Sequence, residues 1–137
     1  MDIVGLSDPR LTWENPAAPE GSLETNTIAQ HFTGRAPSVR ATYDRIVRAA
    51  ATFGPVREEP KKTSIHLARR MAFAGIATRK DALILTLKSD TDVSSPRITK
   101  RERASAKRWY LYVRLEKPEE VDAELLQWLK RSYAESE

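Results

Sequence analysis

Basic side chains beside aromatic rings form the clearest chemical pattern in this 137-residue chain. One group of basic residues crowds positions 97–108 and is followed by two tyrosines, and a second group lies between positions 61 and 69. Basic side chains neutralise phosphates and aromatic faces stack on bases, so the pattern predicts a surface for an anionic partner such as nucleic acid. The candidate anion-binding residues are Arg97, Lys100, Arg101, Arg103, Lys107, Arg108, Lys61, Lys62, Arg69, Tyr110 and Tyr112.

The charge of the chain is unevenly distributed. The formal net charge is +4, but residues 1–34 contain five acidic residues and one basic residue. Residues 57–108 contain fourteen basic and six acidic residues, and residues 109–137 contain four basic and seven acidic residues. A basic middle between two acidic ends favours either an external anionic partner or pairing of the ends with the middle. A solvated surface without a ligand would also produce this composition.

Catalytic and metal-binding patterns are weaker. Glu59-Pro60-Lys61 matches part of a metal-dependent nuclease strand, but the adjacent Glu58 would point to the opposite strand face. Ser64 and His66 share a strand face without a nucleophile elbow. The chain has no cysteine and only two histidines, which are too few nitrogen and sulfur ligands for a typical zinc site. We predict no catalytic residues, no metal and no cofactor.

Two amphipathic helices are expected to bracket the folded part of the chain. Apolar residues between Val39 and Phe53 recur at helical spacing, with Pro37 suited to the first turn and Gly54-Pro55 to the end. A second apolar stripe runs from Val121 to Tyr133, and Pro118 is expected to open that helix. Before the first helix, a capping-box pattern over residues 27–30 predicts a short helical turn at residues 28–33.

The segment between the helices has the pattern of antiparallel strands. Their short connections exclude parallel neighbours, which would need a crossover. Residues 89–106 have no hydrophobic period, so we expect a long surface loop there. In the last strand, Tyr110 and Tyr112 should lie on the face opposite Leu111. The predicted strands cover residues 56–59, 63–69, 71–78, 82–88 and 107–115.

This order of elements predicts an α+β fold with two layers. An antiparallel sheet of about five strands would carry both helices on one face, and the other face would be partly open to water. Residues 27–137 are expected to form the single domain, and residues 1–26 an extended, weakly structured leader. Trp13 is the one large apolar anchor in that leader, and we expect it to dock on the domain surface.

The location of the protein is predicted from what its sequence lacks. The N-terminus has no basic start and no apolar core of signal-peptide length. The longest apolar stretch, residues 71–77, is far too short to span a bilayer. We therefore expect a soluble, cytoplasmic protein without a membrane partner. The oligomeric state stays open.

Three pairs of segments carry a family resemblance. They are His31–Gly34 with Val39–Arg45, Phe53–Val56 with Lys62-Thr63, and Val113–Leu115 with Val121–Leu129. Over about residues 27–135 the chain resembles a small bacterial domain of unknown function, number 5655. The resemblance implies an α+β module without an established activity, sometimes placed after a nuclease-like domain in predicted transport proteins. It also implies a cysteine-bearing leader of zinc-ribbon type, and residues 13–27 have no cysteine.

These observations favour a small non-catalytic binding module whose basic surface engages an anionic partner, with nucleic acid as one possibility. The alternative is a protein-interaction or oligomerisation module that uses an open sheet face. A metal-dependent, nuclease-like enzyme is the third and weakest interpretation.

Overall fold

The computed structural model describes residues 27–136. The predicted leader with its Trp13 anchor lies outside the described residues, as does Glu137. Within the described range, a six-stranded antiparallel sheet carries two helices on one face. The predicted α+β class is confirmed, and the sheet has one strand more than the five or so expected.

The elements follow the predicted order of helix, strands and helix. The strand order is β1-β2-β3-β4-β6-β5, and every neighbouring pair is antiparallel. Two 3-10 turns precede the two helices. In chain order the elements are a 3-10 turn (Ala29–Phe32), α1 (Pro37–Ala51), β1 (Arg57–Pro60), β2 (Ile65–Ala68), β3 (Ala72–Thr78), β4 (Leu83–Ser89), β5 (Ile98–Ser105), β6 (Arg108–Leu115), a second 3-10 turn (Pro118–Glu120) and α2 (Ala123–Ala134).

Helix α1 forms where the apolar stripe predicted it. Pro37 occupies its first turn, where a missing backbone N–H costs nothing. Gly54, just after the helix, has φ +150°. A Cβ at this position would overlap the hydroxyl of Tyr133, so the chain needs glycine here to pass α2. The buried residues of α1 are Val39, Thr42, Tyr43, Ile46 and Ala50.

The apolar core lies between the two helices and one face of the sheet, which we call the inner face. Helix α2 contributes Leu125, Leu129 and Tyr133. Alternation along each strand places every second side chain in this core and the others on the opposite, outer face. The strand residues in the core include Ile65, Leu67, Ala74, Ile76, Leu83, Leu85, Leu87, Leu111, Val113 and Leu115.

Strand β5 corrects the prediction of a long loop over residues 89–106. Among the described strands it forms one edge of the sheet, pairs only with β6 and is largely exposed. An edge strand with polar residues on both faces has no hydrophobic period, so the sequence pattern did not indicate it. Its register with β6 also shifts between Ile98 and Lys100 and between Arg103 and Ser105.

The start of α2 is a second correction. Pro118 opens a 3-10 turn rather than the helix itself. The extended backbone of Asp122 separates the two, and its carboxylate accepts a hydrogen bond from the Leu125 N–H at 3.1 Å. Asp122 is therefore the N-cap, and α2 begins at Ala123. Neither α1 nor α2 combines the length and apolar content needed to cross a membrane.

Candidate anion-binding surface

The eleven candidate residues fall into five places. Arg69, Arg103, Lys107 and Arg108 lie at one end of the sheet, while Lys61 and Lys62 lie at the opposite end. The side chains of three others, Lys100, Tyr110 and Tyr112, belong to the outer face. The remaining two are Arg97, in the connection before β5, and Arg101, in phase with inner-face Leu111.

The first group shares the sheet end where β2, β4 and β5 finish and β3 and β6 begin. Two turns contribute to it, one between β2 and β3 and one between β5 and β6. Since neighbouring strands lie about 4.8 Å apart, the two turns are about 14 Å from each other. We call this surface the basic end and define it by Arg69, Arg70, Arg103, Lys107 and Arg108.

Several cations of the basic end are held by aromatic and backbone contacts. The Arg69 guanidinium lies 4.5 Å from the ring centroid of Tyr133 and donates to its carbonyl oxygen at 3.3 Å. Arg103 lies 5.8 Å from the centroid of Trp109 and donates to the Ser105 carbonyl at 3.1 Å. These contacts hold the guanidinium planes in place and leave their positive charge intact.

Exposure differs among the same residues. Arg70, Arg103 and Lys107 are exposed, while Arg69 and Arg108 are half-buried. Met71, beside Arg70, is the large apolar side chain most exposed within residues 27–136, at 40%. The basic end therefore offers cations together with some apolar surface.

Two carboxylates border the basic end on its α2 side. Asp90 pairs with Arg131 at 3.3 Å. Burial raises the pKa of Glu135, and its hydrogen bond with Asp90 raises that pKa further, while Arg131 and Arg108 lower it. These two acidic residues lie where the basic end meets the C-terminal part of α2.

On the outer face, Lys100 and Tyr112 form one contact. They are cross-strand neighbours, and the Lys100 ammonium lies 5.2 Å from the centroid of the Tyr112 ring. The Tyr112 hydroxyl donates to Glu102 Oε1 at 3.1 Å. Tyr112 is half-buried, whereas Tyr110 is completely buried. Of the two tyrosines that the sequence placed on an open face, Tyr112 alone has ring surface available to a partner.

The middle of the outer face is also buried, although it is polar. We call His66, Lys88 and Tyr110 the outer-face centre, and their exposed fractions are 4%, 3% and 0%. Burial, together with the positive charges of Lys61 and Lys88, lowers the pKa of His66 to about 3. His66 is therefore neutral at neutral pH and cannot act as a cation.

Arg97 makes its contacts within the fold and is not part of an open binding surface. Its guanidinium donates to Asp122 Oδ1 at 2.7 Å, to Glu124 Oε1 at 3.2 Å and to the Glu120 carbonyl at 2.6 Å. These bonds raise the pKa of Arg97 and lower that of Asp122. Arg97 thereby ties the connection before β5 to the start of α2.

Arg101 and Lys61 also contact carboxylates. Arg101 makes a two-oxygen contact with Asp92, with both distances at 2.9 Å. Lys61 is largely buried and lies 3.9 Å from Glu59. Lys62 is exposed, in the turn between β1 and β2.

The two carboxylates considered for nuclease chemistry, Glu58 and Glu59, lie on opposite faces of the sheet, as strand geometry predicts. Glu59 pairs with His66 in the register of β1 and β2, on the outer face. Glu58 points to the helix side, where the Tyr43 hydroxyl donates to Glu58 Oε1 at 2.6 Å. Burial and this hydrogen bond raise the pKa of Tyr43. Within residues 27–136, no three histidine or carboxylate side chains are grouped to hold a metal ion.

A known family model covers almost the whole of the described range. The family model described as a domain of unknown function, DUF5655, matches residues 28–136. The chain belongs to the DUF5655 family. The predicted resemblance is therefore confirmed, and the DUF5655 match extends from the first 3-10 turn to the end of α2. Comparison with curated proteins and with solved structures found no significant match.

Two cations at the basic end of this DUF5655 domain, Arg57 and Arg70, are not among the eleven candidate residues. Arg70 is exposed in the turn between β2 and β3. Arg57, in β1, donates to the Arg69 carbonyl and pairs with Glu59 at 3.1 Å. Both residues stand at strand ends in the sequence, and that position is the signal that could have identified them.

Proposed function

We propose that this DUF5655 domain is a non-catalytic binding module that engages an anionic partner through its basic end. One observation carries the proposal: the antiparallel register brings two separate turns, with Arg69-Arg70 and Lys107-Arg108, to the same end of the sheet. Cations that converge from distant parts of a sequence create a stronger local field than the same cations scattered over a surface.

A phosphate-bearing chain suits the spacing of this surface. A separation of about 14 Å between the two turns corresponds to about four base-pair steps along the axis of a nucleic acid duplex, at a rise of about 3.4 Å per step. Arg103, held near Trp109, offers a planar group that can bind phosphate with two donors. Within residues 27–136, α2 meets this end with its C-terminus, and the end has no glycine-rich loop and no helix N-terminus. This arrangement favours contacts by side chains over a backbone phosphate cradle. We therefore favour nucleic acid as the anionic partner.

The experiment measures nucleic acid binding across a salt series. Fluorescence anisotropy with single-stranded and duplex oligonucleotides would compare the wild type with the double variant Arg70→Gln/Lys107→Gln. Loss of two phosphate contacts should weaken binding roughly tenfold at low salt and reduce the slope of log K against log salt by about 1.5.

A matched control separates the basic end from net charge. The variant Arg79→Gln/Lys80→Gln removes two exposed cations from the turn between β3 and β4, at the opposite end of the sheet. It should bind within about twofold of the wild type, because it lowers the net charge by the same two units as the first variant but removes no contact at the basic end. Equal losses in the two variants, or no salt-dependent binding by the wild type, would contradict the proposal.

The exposed edge of β5 supports a second candidate, a protein-interaction module. An unpaired edge can add a strand from another chain. The edge of β5 carries Lys100, Arg101 and Arg103 and has two register shifts, features that oppose pairing with an identical strand. An acidic extended peptide would suit it better than a second copy of the chain. Light scattering over a concentration series would reveal self-association, which would instead favour a second copy.

A further inference from the structure

The connection between β4 and β5 is held to the elements on both sides of it by ion pairs. We call this connection, residues 90–97, the strap. Asp90 lies 3.3 Å from Arg131 of α2, and Asp92 contacts Arg101 of β5 through both carboxylate oxygens at 2.9 Å. Because α2 and the Arg101 side chain both lie on the inner face, the strap bridges the gap between helix and edge strand there.

One apolar side chain of the strap, Val93, packs beneath these ion pairs. Val93 is half-buried against the core and lines a small cavity together with Leu111, Trp128 and Arg131. Leu111 is in turn the cross-strand neighbour of Arg101. The strap therefore lies over the floor of the gap, and its carboxylates meet the arginines at the solvent side.

The pair between Asp92 and Arg101 is open to exchange with an external anion. The two side chains are 40% and 43% exposed. An ion pair this accessible to water contributes little to stability, so breaking it costs the fold little. A guanidinium binds phosphate with the same donors that it offers to a carboxylate. A phosphate group can therefore take the place of the Asp92 carboxylate.

Arg101 also continues the line of cations that begins at the basic end. Arg103 belongs to the basic end, and Arg101 lies two residues before it on β5. Their cross-strand neighbours are Trp109 and Leu111, so both arginines point to the inner face, roughly 7 Å apart. A phosphate-bearing chain that contacts Arg103 therefore passes close to Arg101, where it meets the carboxylate of Asp92.

We propose that Arg101 is a further phosphate-binding residue and that Asp92 of the strap occupies it in place of a phosphate. This inference rests on the proposed function, since the competing phosphates belong to a nucleic acid bound at the basic end. In the wild type, Asp92 neutralises Arg101 and repels the approaching phosphates, which limits affinity. Removing an acidic side chain from the strap should therefore strengthen binding and add a phosphate contact.

A matched pair of variants tests the role of Asp92 in nucleic acid binding. Asp44, on α1, pairs with Arg40 at 3.1 Å, and these side chains are 43% and 46% exposed, close to the values for Asp92 and Arg101. Asp92→Asn and Asp44→Asn therefore both raise the net charge by one and release one exposed arginine.

The two variants should differ in fluorescence anisotropy with the same oligonucleotides across a salt series. Asp92→Asn should bind several-fold more tightly than the wild type at low salt and steepen the slope of log K against log salt by about 0.7 to 0.9, the value for one added phosphate contact. Asp44→Asn should stay within about twofold. Arg101→Gln should weaken binding more in the Asp92→Asn background than in the wild type. Equal gains in the two aspartate variants, or additive effects of Asp92→Asn and Arg101→Gln, would overturn the inference.

A titration with tripolyphosphate separates this inference from the proposed function, because it needs no nucleic acid. NMR of the arginine Nε–Hε groups would follow Arg101 in Asp92→Asn and Arg40 in Asp44→Asn. Arg101 should respond at several-fold lower tripolyphosphate concentration, since Arg103 on the same face of β5 adds a second cation. Equal responses of Arg101 and Arg40 would mean that Arg101 is an ordinary surface arginine, and the inference would be wrong. A wild type that binds no nucleic acid, with Arg101 still responding first, would instead overturn the proposed function and support the phosphate site at Arg101.

Discussion

The basic end and the outer-face centre both contain basic side chains, but the two regions differ in how far those side chains are exposed to water. Arg70 and Lys107 are exposed at the basic end. Lys88 and His66 are almost completely buried, and the pKa of His66 is lowered to about 3. A cation in water can attract a partner at long range, while a buried one mainly affects folding.

This difference shows why a count of basic residues is a poor guide to a binding surface. The candidates from residues 61–69 and 97–108 look equivalent in the sequence. In the structure their roles separate according to burial and partners: Arg97 joins a loop to a helix, Lys61 is largely enclosed, and Lys107 is open to solvent. Substitutions should therefore lower stability at the outer-face centre and weaken binding at the basic end.

The largest expected effect is a loss of stability at the outer-face centre. Tyr110→Ala removes a completely buried aromatic ring and should lower the free energy of unfolding by about 3–5 kcal/mol. Lys107→Ala, at the basic end, should change it by less than about 0.5 kcal/mol. Urea unfolding measures both values. A loss below about 1 kcal/mol for Tyr110→Ala would mean that this face is open, and the contrast between the two regions would disappear.

A smaller effect is expected from pH, and it also distinguishes the two regions. The pKa of His66 is about 3 in the folded protein, below the ordinary 6.5. The unfolded chain therefore binds a proton that the folded protein does not, and stability present above pH 6.5 is lost progressively between about pH 6.5 and 3. The free energy of unfolding should fall by about 1.4 kcal/mol per pH unit, or about 2 kcal/mol by pH 5.

His66→Asn provides the comparison for this pH dependence. The variant should retain only the weaker slope from His31, whose pKa is also lowered by partial burial. Equilibrium unfolding in urea at pH 5, 6 and 7 would measure the effect. Identical slopes in the variant and the wild type would show that His66 is not protected from protonation.

The losses of stability on substituting Arg97 and Arg101 should differ by less than those for Tyr110 and Lys107, and the loss for Arg97 should be the larger. Arg97 donates to two carboxylates and a carbonyl and is one-quarter exposed, so Arg97→Ala should cost about 1–2 kcal/mol in unfolding free energy. Arg101→Ala breaks a more exposed pair and should cost less than about 1 kcal/mol. Thermal unfolding of both variants measures the difference. Neither variant should weaken nucleic acid binding as much as Arg70→Gln/Lys107→Gln, and a larger loss for Arg97→Ala would move the binding surface toward α2.

Local patterns in the sequence predicted much of this fold. The capping box is present as expected, with reciprocal hydrogen bonds between Thr27 and Gln30 at 3.0 and 3.2 Å. Periodicity located α1 and the apolar strands β3 and β4. The β5 strand was missed because it is polar on both faces, and its strand character comes from pairing with β6, a contact that no local pattern encodes.

The candidate surface was less predictable, since it depends on strand order and burial. Alternation correctly put Tyr110 and Tyr112 on one face, but it carries no information about depth, and Tyr110 is completely buried. The convergence of Arg69 with Lys107 follows from a six-strand register. Because the sequence pattern predicts a loop over residues 89–106, it does not predict the hairpin of β5 and β6 that positions Lys107.

The smallest predicted effect concerns the carboxylate pair that borders the basic end. Burial is the main cause of the raised pKa of Glu135, and the hydrogen bond with Asp90 is the next. Asp90→Asn should therefore lower the pKa of Glu135 without returning it fully to the ordinary value, as carbon-detected NMR titration of the side-chain carboxyl would measure. Asp92→Asn is the matched control, because Asp92 pairs with Arg101 and is not among the groups that shift Glu135. Equal pKa changes in the two variants would mean that Glu135 responds to the general field of the basic end rather than to its neighbour.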